Sequence, residues 1–271
     1  MPEKVLGRGG SATVYLARRE GDASPVALKV LDTEQADARL RLEREFAFAK
    51  QVEHPHVVTM YEHGPDWLAM QYVDGGSISD LQSAERMPAL AQIADGLDHT
   101  HRVGIVHCDV KPTNILVHSD FGARGAVLID FGVAHSLAQD MAIRLSHDAM
   151  SRLSLDPARR ITRQPEYRER LVHASLPYAA PELLLGRMPA GSTDLYALAC
   201  TAVELLTGAP PFPAPSANAL IEAHLEQVPP PTGLGRGVDS VIAKAMAKDL
   251  EARFDTCLEF VDALVRALRC G

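Results

Sequence analysis

Residues 191–208, GSTDLYALACTAVELLTG, constrain the fold more than any other stretch. At helical spacing they are apolar almost all the way round. Such a helix is stable only when other elements cover every side of it, so it is expected as a buried central helix stopped at Gly208. It is too short to cross a membrane, and no other apolar run reaches that length. A chain of 271 residues, 46% hydrophobic and 23% charged, has enough material to wrap it. That length is also near the point at which chains divide into subdomains.

The residues before Gly76 have another character. ATVYLARR and PVALKVLD are β-rich runs separated by the turn chemistry of EGDASP. EQADARLRLEREFAFAKQV, where Leu40, Phe46 and Val52 lie among many charges, is expected as an amphipathic helix. HVVTMYEHG and DWLAMQYVDGG follow as strands. After Gly76, MPALAQIADGLDHTHRVG reads as a helix with Leu90, Ile93, Ala94, Leu97 and His101 on one face. PPFPAPS and QVPPPTGLGRG read as loops, and GVDSVIAKAMAKDL and DTCLEFVDALVRAL as helices, the second capped by Asp255. The expected class is α+β and bilobal: a β-rich N-lobe over 1–72, a hinge over 73–76 and a mainly helical C-lobe over 77–271.

The net charge of −8 argues against nucleic acid as a partner. Cys108, Cys200, Cys257 and Cys270 lack zinc or redox spacing and suggest no disulfide framework, which fits a reducing cytoplasm. The opening MPEKVLGRGG has no apolar core of a signal peptide.

Several motifs carry chemistry. In LGRGGSATVYLA, Gly7 and Gly9 are placed in a turn between strands, where glycine lets the backbone approach phosphate, with Ala12 at the third small position. A plain hairpin would hold the same glycines. In VALK, period-2 alternation puts Lys29 on the side of Ala27, where an ammonium needs an anionic partner; Glu45 on the following helix is the candidate. A lysine snorkelling from a sheet surface is the other reading. In HCDVKPTN, Asp109 can accept a proton from a hydroxyl, Lys111 can neutralise a transferring phosphoryl group, and Asn114 can ligate a hard cation. VLIDFG adds Asp130 at a strand end, a second ligand for magnesium against phosphate oxygens.

Taken in order, these motifs resemble the eukaryotic-type (Hanks-type) serine/threonine protein kinase family, over nearly the whole chain. The resemblance implies ATP and Mg2+, or Mn2+ in its place. It implies Lys29 and Glu45 as the phosphate clamp, Asp109 and Lys111 as catalytic residues, and Asn114 and Asp130 as metal ligands. Leu6, Gly7, Gly9 and Val14 would cover the nucleotide. Val14, Ala27 and Leu116 would sandwich adenine, contacted also by Met70 and by the backbone of Gln71 and Val73. LPYAAPE matches the end of an activation segment running over 130–182, with Glu182 paired to Arg253, and Asp194 looks like the acid that ties down the catalytic loop. Lys111-Pro112-Thr113 points to the serine/threonine kind, and TGAPPFPAPSANALIEAHLEQVPPP to the bacterial branch. The implied partner is a protein bearing Ser or Thr. A pseudokinase scaffold would normally have lost the Lys or one of the two Asp, all present here, and a small-molecule kinase would lack PYAAPE.

Four departures stand out. Cys108 replaces the arginine that, elsewhere in the family, binds a phosphate on the activation segment, so this chain is expected not to depend on that phosphorylation, or to order the segment otherwise. Packing as a small buried residue is compatible with either. The segment is long, and Leu137, Met141, Leu145, Ala149 and Leu153 recur every fourth residue, an expected inserted helix. Its continuation, 152–170, holds six Arg against three acids, a local +3 that would suit an acidic partner or a solvated face. The short connection from Gly76 to Met87 implies a trimmed first C-lobe helix, and the six residues before Gly7 an incomplete first strand.

Overall fold

The computed structural model describes residues 2–136, apart from 10, 20, 22 and 34, and residues 176–270. The expected helix from Leu137 to Leu153 and the Arg-rich stretch 152–170 lie outside the described residues. The chain groups into two compact units, 1–99 with 112–134, and 100–111 with 135–271.

The first unit is built on an antiparallel five-stranded sheet, order β1-β2-β3-β5-β4. Its strands are β1 (Pro2–Arg8), β2 (Ala12–Arg18), β3 (Pro25–Leu31), β4 (Met60–His63) and β5 (Trp67–Gln71). β1 has seven residues, as do β2 and β3, so the first strand is not shortened as expected. Gly7 lies within β1, opposite Val14 beside a register shift, and not in the turn; Gly9 turns the chain, its N–H donating to Ala12 O at 2.8 Å.

Helix α1 (Ala36–Ala49) packs on β4 and β5. Its buried line is Ala38, Leu42, Glu45 and Ala49, spaced for one helical face, so a carboxylate sits in an otherwise apolar stripe. Leu40 is 51% exposed, because it falls on the opposite face. Helix α2 (Ser83–Arg102) starts four residues before Met87 and is preceded by a single 3-10 turn, Ile78–Asp80, in place of a full first helix. Leu90, Ile93, Ala94 and Leu97 are fully buried, as expected. The hairpin β7 (Ile115–Val117) and β8 (Ala126–Leu128), joined through α3 (Phe121–Arg124), completes the unit.

The second unit gathers around α5 (Gly191–Thr207), preceded by α4 (Pro181–Leu184). Residues 193–203 of α5 are all buried, as the sequence demanded. Gly208 ends it at φ 85, the left-handed conformation that glycine adopts without a Cβ clash. Around it stand α6 (Ala217–Glu226), α7 (Arg236–Ala245), α8 (Cys257–Cys270) and the strand pair β6 (Ile105–Val106) and β9 (His135–Ser136). The cap of α8 is Thr256, whose hydroxyl oxygen accepts from Glu259 N at 3.1 Å; Asp255 stands one residue earlier and donates its N–H to Glu259 Oε2 at 3.3 Å. Helix α6, unexpected from sequence, is capped by Ser216.

Candidate active site

Strand register assembles half of the site. Val14 pairs with Lys29 across β2 and β3, and Ala27 with Met70 across β3 and β5. Directly opposed residues share a face, as do residues two apart, so Val14, Ala27, Lys29 and Met70 all lie on one face of the sheet. Ala27, Met70 and Val73 are buried; Val14 and Leu116 are partly covered, and Leu6 in β1 is 38% exposed.

Lys29 Nζ is 2.7 Å from Glu45 Oε2 and 3.4 Å from Asp130 Oδ1. The snorkelling alternative is therefore not what is found. Burial works to lower the Lys29 pKa, but the Glu45 and Asp130 carboxylates outweigh it and hold the ammonium above its usual range. Burial pushes Glu45 up to about 7, with Lys29 pulling it back and Asp130 adding to the rise. Among the described residues Glu45 Oε1 is buried without a hydrogen-bond partner, consistent with that rise. Asp130 adopts φ 68, and its Oδ1 accepts from Gly132 N at 3.3 Å. A Cβ on Gly132 would come within 3.1 Å of that oxygen. Asn114 ends a 3-10 turn, Pro112–Asn114, is buried, and its carbonyl accepts from Ile129 N at 2.9 Å, which joins it to the strand end leading to Asp130.

In the second unit, Asp109 Oδ2 lies 2.7 Å from Lys111 Nζ. The loop is shaped by Asp194, fully buried at the start of α5. Its Oδ2 accepts from His107 N at 2.8 Å and its Oδ1 from Cys108 N at 2.7 Å. His101 Nε2 lies 2.8 Å from Oδ2. Burial would raise the Asp194 pKa, yet the hydrogen bonds and charge of His101 and His107 hold it below its usual value. Asp109 N donates to His107 Nδ1 at 3.2 Å, so that nitrogen is an acceptor. Cys108 is buried, at φ 66, with Sγ 3.7 Å from Val106 O. Glu182 and Arg253 form a buried two-pronged ion pair, both contacts at 2.9 Å, and Thr193 Oγ1 donates to Glu182 Oε1 at 2.8 Å. The Tyr178 hydroxyl donates to Glu204 Oε2.

Two connections had no sign in the sequence. His101, assigned to an apolar face, reaches Asp194 across 93 positions. His118 links Gln71 to Asp74, through contacts of 3.4 and 3.2 Å.

A β-rich N-lobe and a helical C-lobe define the class, and residues 2–265 match the protein kinase domain: the chain belongs to that family. It is 37% identical over 291 residues to the serine/threonine-protein kinase PknJ of Mycobacterium bovis and of Mycobacterium tuberculosis, covering 99% of this chain and 45% of the relative. It is 33% identical to PknF of Mycobacterium tuberculosis, also named a serine/threonine-protein kinase, covering 96% of this chain and 54% of the relative. The chain thus spans about half the length of these curated relatives. The crystal structure of a point mutant of the Mycobacterium tuberculosis PknI kinase domain superposes with a TM-score of 0.69 at 28% identity, covering 98% of this chain and 94% of that one. The family generally uses ATP and Mg2+ and acts on proteins. No helix among the described residues is long and apolar enough to cross a membrane.

Proposed function

We propose that this chain is the catalytic domain of a bacterial serine/threonine protein kinase, with N-lobe 1–72, hinge 73–76, C-lobe 77–271 and activation segment 130–182. The observation that carries the reading is the contact of Lys29 with both Glu45 and Asp130 on the sheet face shared by Val14, Ala27 and Met70. Lys29 offers phosphate oxygens a cation on that face; Glu45 holds it in place, and a divalent ion on Asp130 would offset the excess negative charge that the two carboxylates leave.

In this reading Leu6, Val14, Ala27, Met70 and Leu116 enclose adenine, the Gln71 carbonyl and Val73 N–H meet its edge, and Gly7, Gly9 and Lys29 hold the phosphates. Asn114 and Asp130, an amide and a carboxylate oxygen, are the hard donors that Mg2+ or Mn2+ takes. When bound, the ion neutralises charge on the phosphate oxygens. Asp109 accepts the proton of a Ser or Thr hydroxyl as its oxygen forms a bond to the γ-phosphorus; the bond to the bridging oxygen breaks and ADP leaves. Lys111 stabilises the transferring group.

Cys108 carries no fork of donors for a phosphate, and the loop around it is held by Asp194. On that ground the domain works without phosphorylation of its activation segment. The six Arg within 152–170 suit an acidic partner. Four cysteines without zinc or redox spacing suit the reducing cytoplasm.

Radiolabelled ATP with the wild type and with Asp109→Asn tests the reading. Label on Ser or Thr with the wild type alone supports it. Nucleotide binding without transfer to any protein identifies a pseudokinase scaffold instead.

A further inference from the structure

Five residues outside the proposed catalytic steps form one hydrogen-bonded relay within the first unit. Thr59 N donates to Gln71 Oε1 at 3.2 Å, and Gln71 Nε2 lies 3.4 Å from His118 Nε2. His118 Nδ1 lies 3.2 Å from Asp74 Oδ1. Ser119 then donates twice to Asp74, from its N–H at 3.1 Å and its hydroxyl at 2.8 Å.

The direction of this relay is fixed by its ends. A backbone N–H only donates, so Gln71 must present its oxygen to Thr59 and its NH2 to His118. An amide NH2 also only donates, so His118 Nε2 must be the acceptor. The ring proton then sits on Nδ1 and is given to Asp74. His118 is only 3% exposed, and each of its nitrogens meets the partner that the neutral ring requires. The Ser119 hydroxyl first, then its N–H and His118, hold the Asp74 carboxyl below its usual range.

The relay braces one segment. Gln71 N donates to Thr59 O at 2.8 Å, while Gly75 N donates to Val117 O and Val117 N to Gly76 O, both at 2.9 Å. The main chain is thus pinned at 71 and at 75–76, and the side chains of 71 and 74 are joined through His118 between those pins. The approach to β7 is close: a Cβ on Gly75 would come within 2.4 Å of the His118 carbonyl carbon. Thr59, Gln71, Tyr72 and Asp74 also line a cavity of about 370 Å³.

We propose that His118 is a positioning residue for the nucleotide: by bridging Gln71 and Asp74 it fixes the Gln71 carbonyl and the Val73 N–H at the spacing an adenine edge requires. The proposal rests on the nucleotide site assigned above. An unbraced segment would have to be ordered when adenine binds, and that cost falls on affinity, not on the transfer step. The effect belongs to adenine alone, so phosphate-only ligands should not feel it.

The test compares wild type, His118→Ala and Gln71→Glu by calorimetric titration with ATP, adenosine and magnesium tripolyphosphate, with thermal melting as a fold control. His118→Ala is expected to weaken ATP and adenosine about tenfold, to leave tripolyphosphate unchanged, and to raise KM for ATP with kcat kept within about twofold. In Gln71→Glu a carboxylate faces His118 Nε2 and draws a proton onto it, between two acids and near Arg124, which is 3.7 Å from Asp74. Adenosine, which bears no phosphate for the Lys29 clamp, should then bind Gln71→Glu more tightly at about pH 6 than at about pH 8, and wild type should not. Equal adenosine affinity in wild type and a folded His118→Ala overturns the relay, as does equal loss of tripolyphosphate. If His118→Ala does not fold, a flat pH response in Gln71→Glu overturns it. A wild type that binds neither ATP nor adenosine removes the nucleotide site itself, and the relay's role with it.

Discussion

Glu45 reaches Lys29 with one oxygen, 2.7 Å away, and keeps the other buried, with no hydrogen-bond partner among the described residues. The clamp needs Glu45 ionised, yet burial moves its pKa to about 7. ATP affinity is therefore expected to strengthen as pH rises through about 7, and Glu45→Gln to bind more weakly with no such rise, as titration calorimetry at about pH 6 and 8 would show. Stability runs the other way. Between the ordinary value of 4.5 and about 7 the folded protein holds a proton that the unfolded chain has released, so the Glu45 contribution falls as pH rises through that window.

Asp194 satisfies the N–H groups of His107 and Cys108 from inside the second unit. Asp194→Ala leaves both donors buried. At about 1–3 kcal/mol each, the expected loss is about 2–6 kcal/mol, read from the urea midpoint.

Glu182 and Arg253 are almost wholly buried, with both prongs at 2.9 Å. Arg253→Met strands a buried carboxylate and is expected to cost about 3–5 kcal/mol. The double variant Arg253→Met with Glu182→Leu removes the stranded charge and should recover much of that loss. Chemical denaturation of the two singles and the double gives the coupling.

Cys108 contributes its backbone N–H to the loop and buries a small side chain. Cys108→Ala is expected to keep kcat within about twofold, and treatment of the wild type with a Ser/Thr phosphatase to leave kcat unchanged. A fall of tenfold or more after dephosphorylation, measured on a peptide substrate, would contradict independence from phosphorylation.

Deleting 138–170 removes the six Arg of 152–170, Arg144 and nearly all of the expected inserted helix. Kinase activity or capture of acidic protein partners is expected to drop. Unchanged steady-state kinetics and unchanged binding would remove any role for the insertion.

What the sequence disclosed was local. Alternation alone put Lys29 beside Ala27, and the all-apolar run 191–208 foretold a wrapped helix. The helix carrying Glu45 was expected, but its buried line, Ala38-Leu42-Glu45-Ala49, was obscured by Leu40, which is apolar and exposed. Helix α6 was hidden by its brevity and by proline-rich loops on both sides. His118 and Asp74 stand 44 positions apart, and nothing in either neighbourhood marks them as partners; only the close return of 75–76 onto β7 brings them together. Long-range polar pairs of this kind leave no periodicity to read.

At position 108 the backbone, at φ 66, is anchored through its amide by a carboxylate on a distant helix. The geometry of the loop is therefore indifferent to much of what that side chain is. In the proposed reading, a single codon here would add or delete a phosphate sensor while the neighbouring aspartate stays in place, so control and chemistry would be inherited separately.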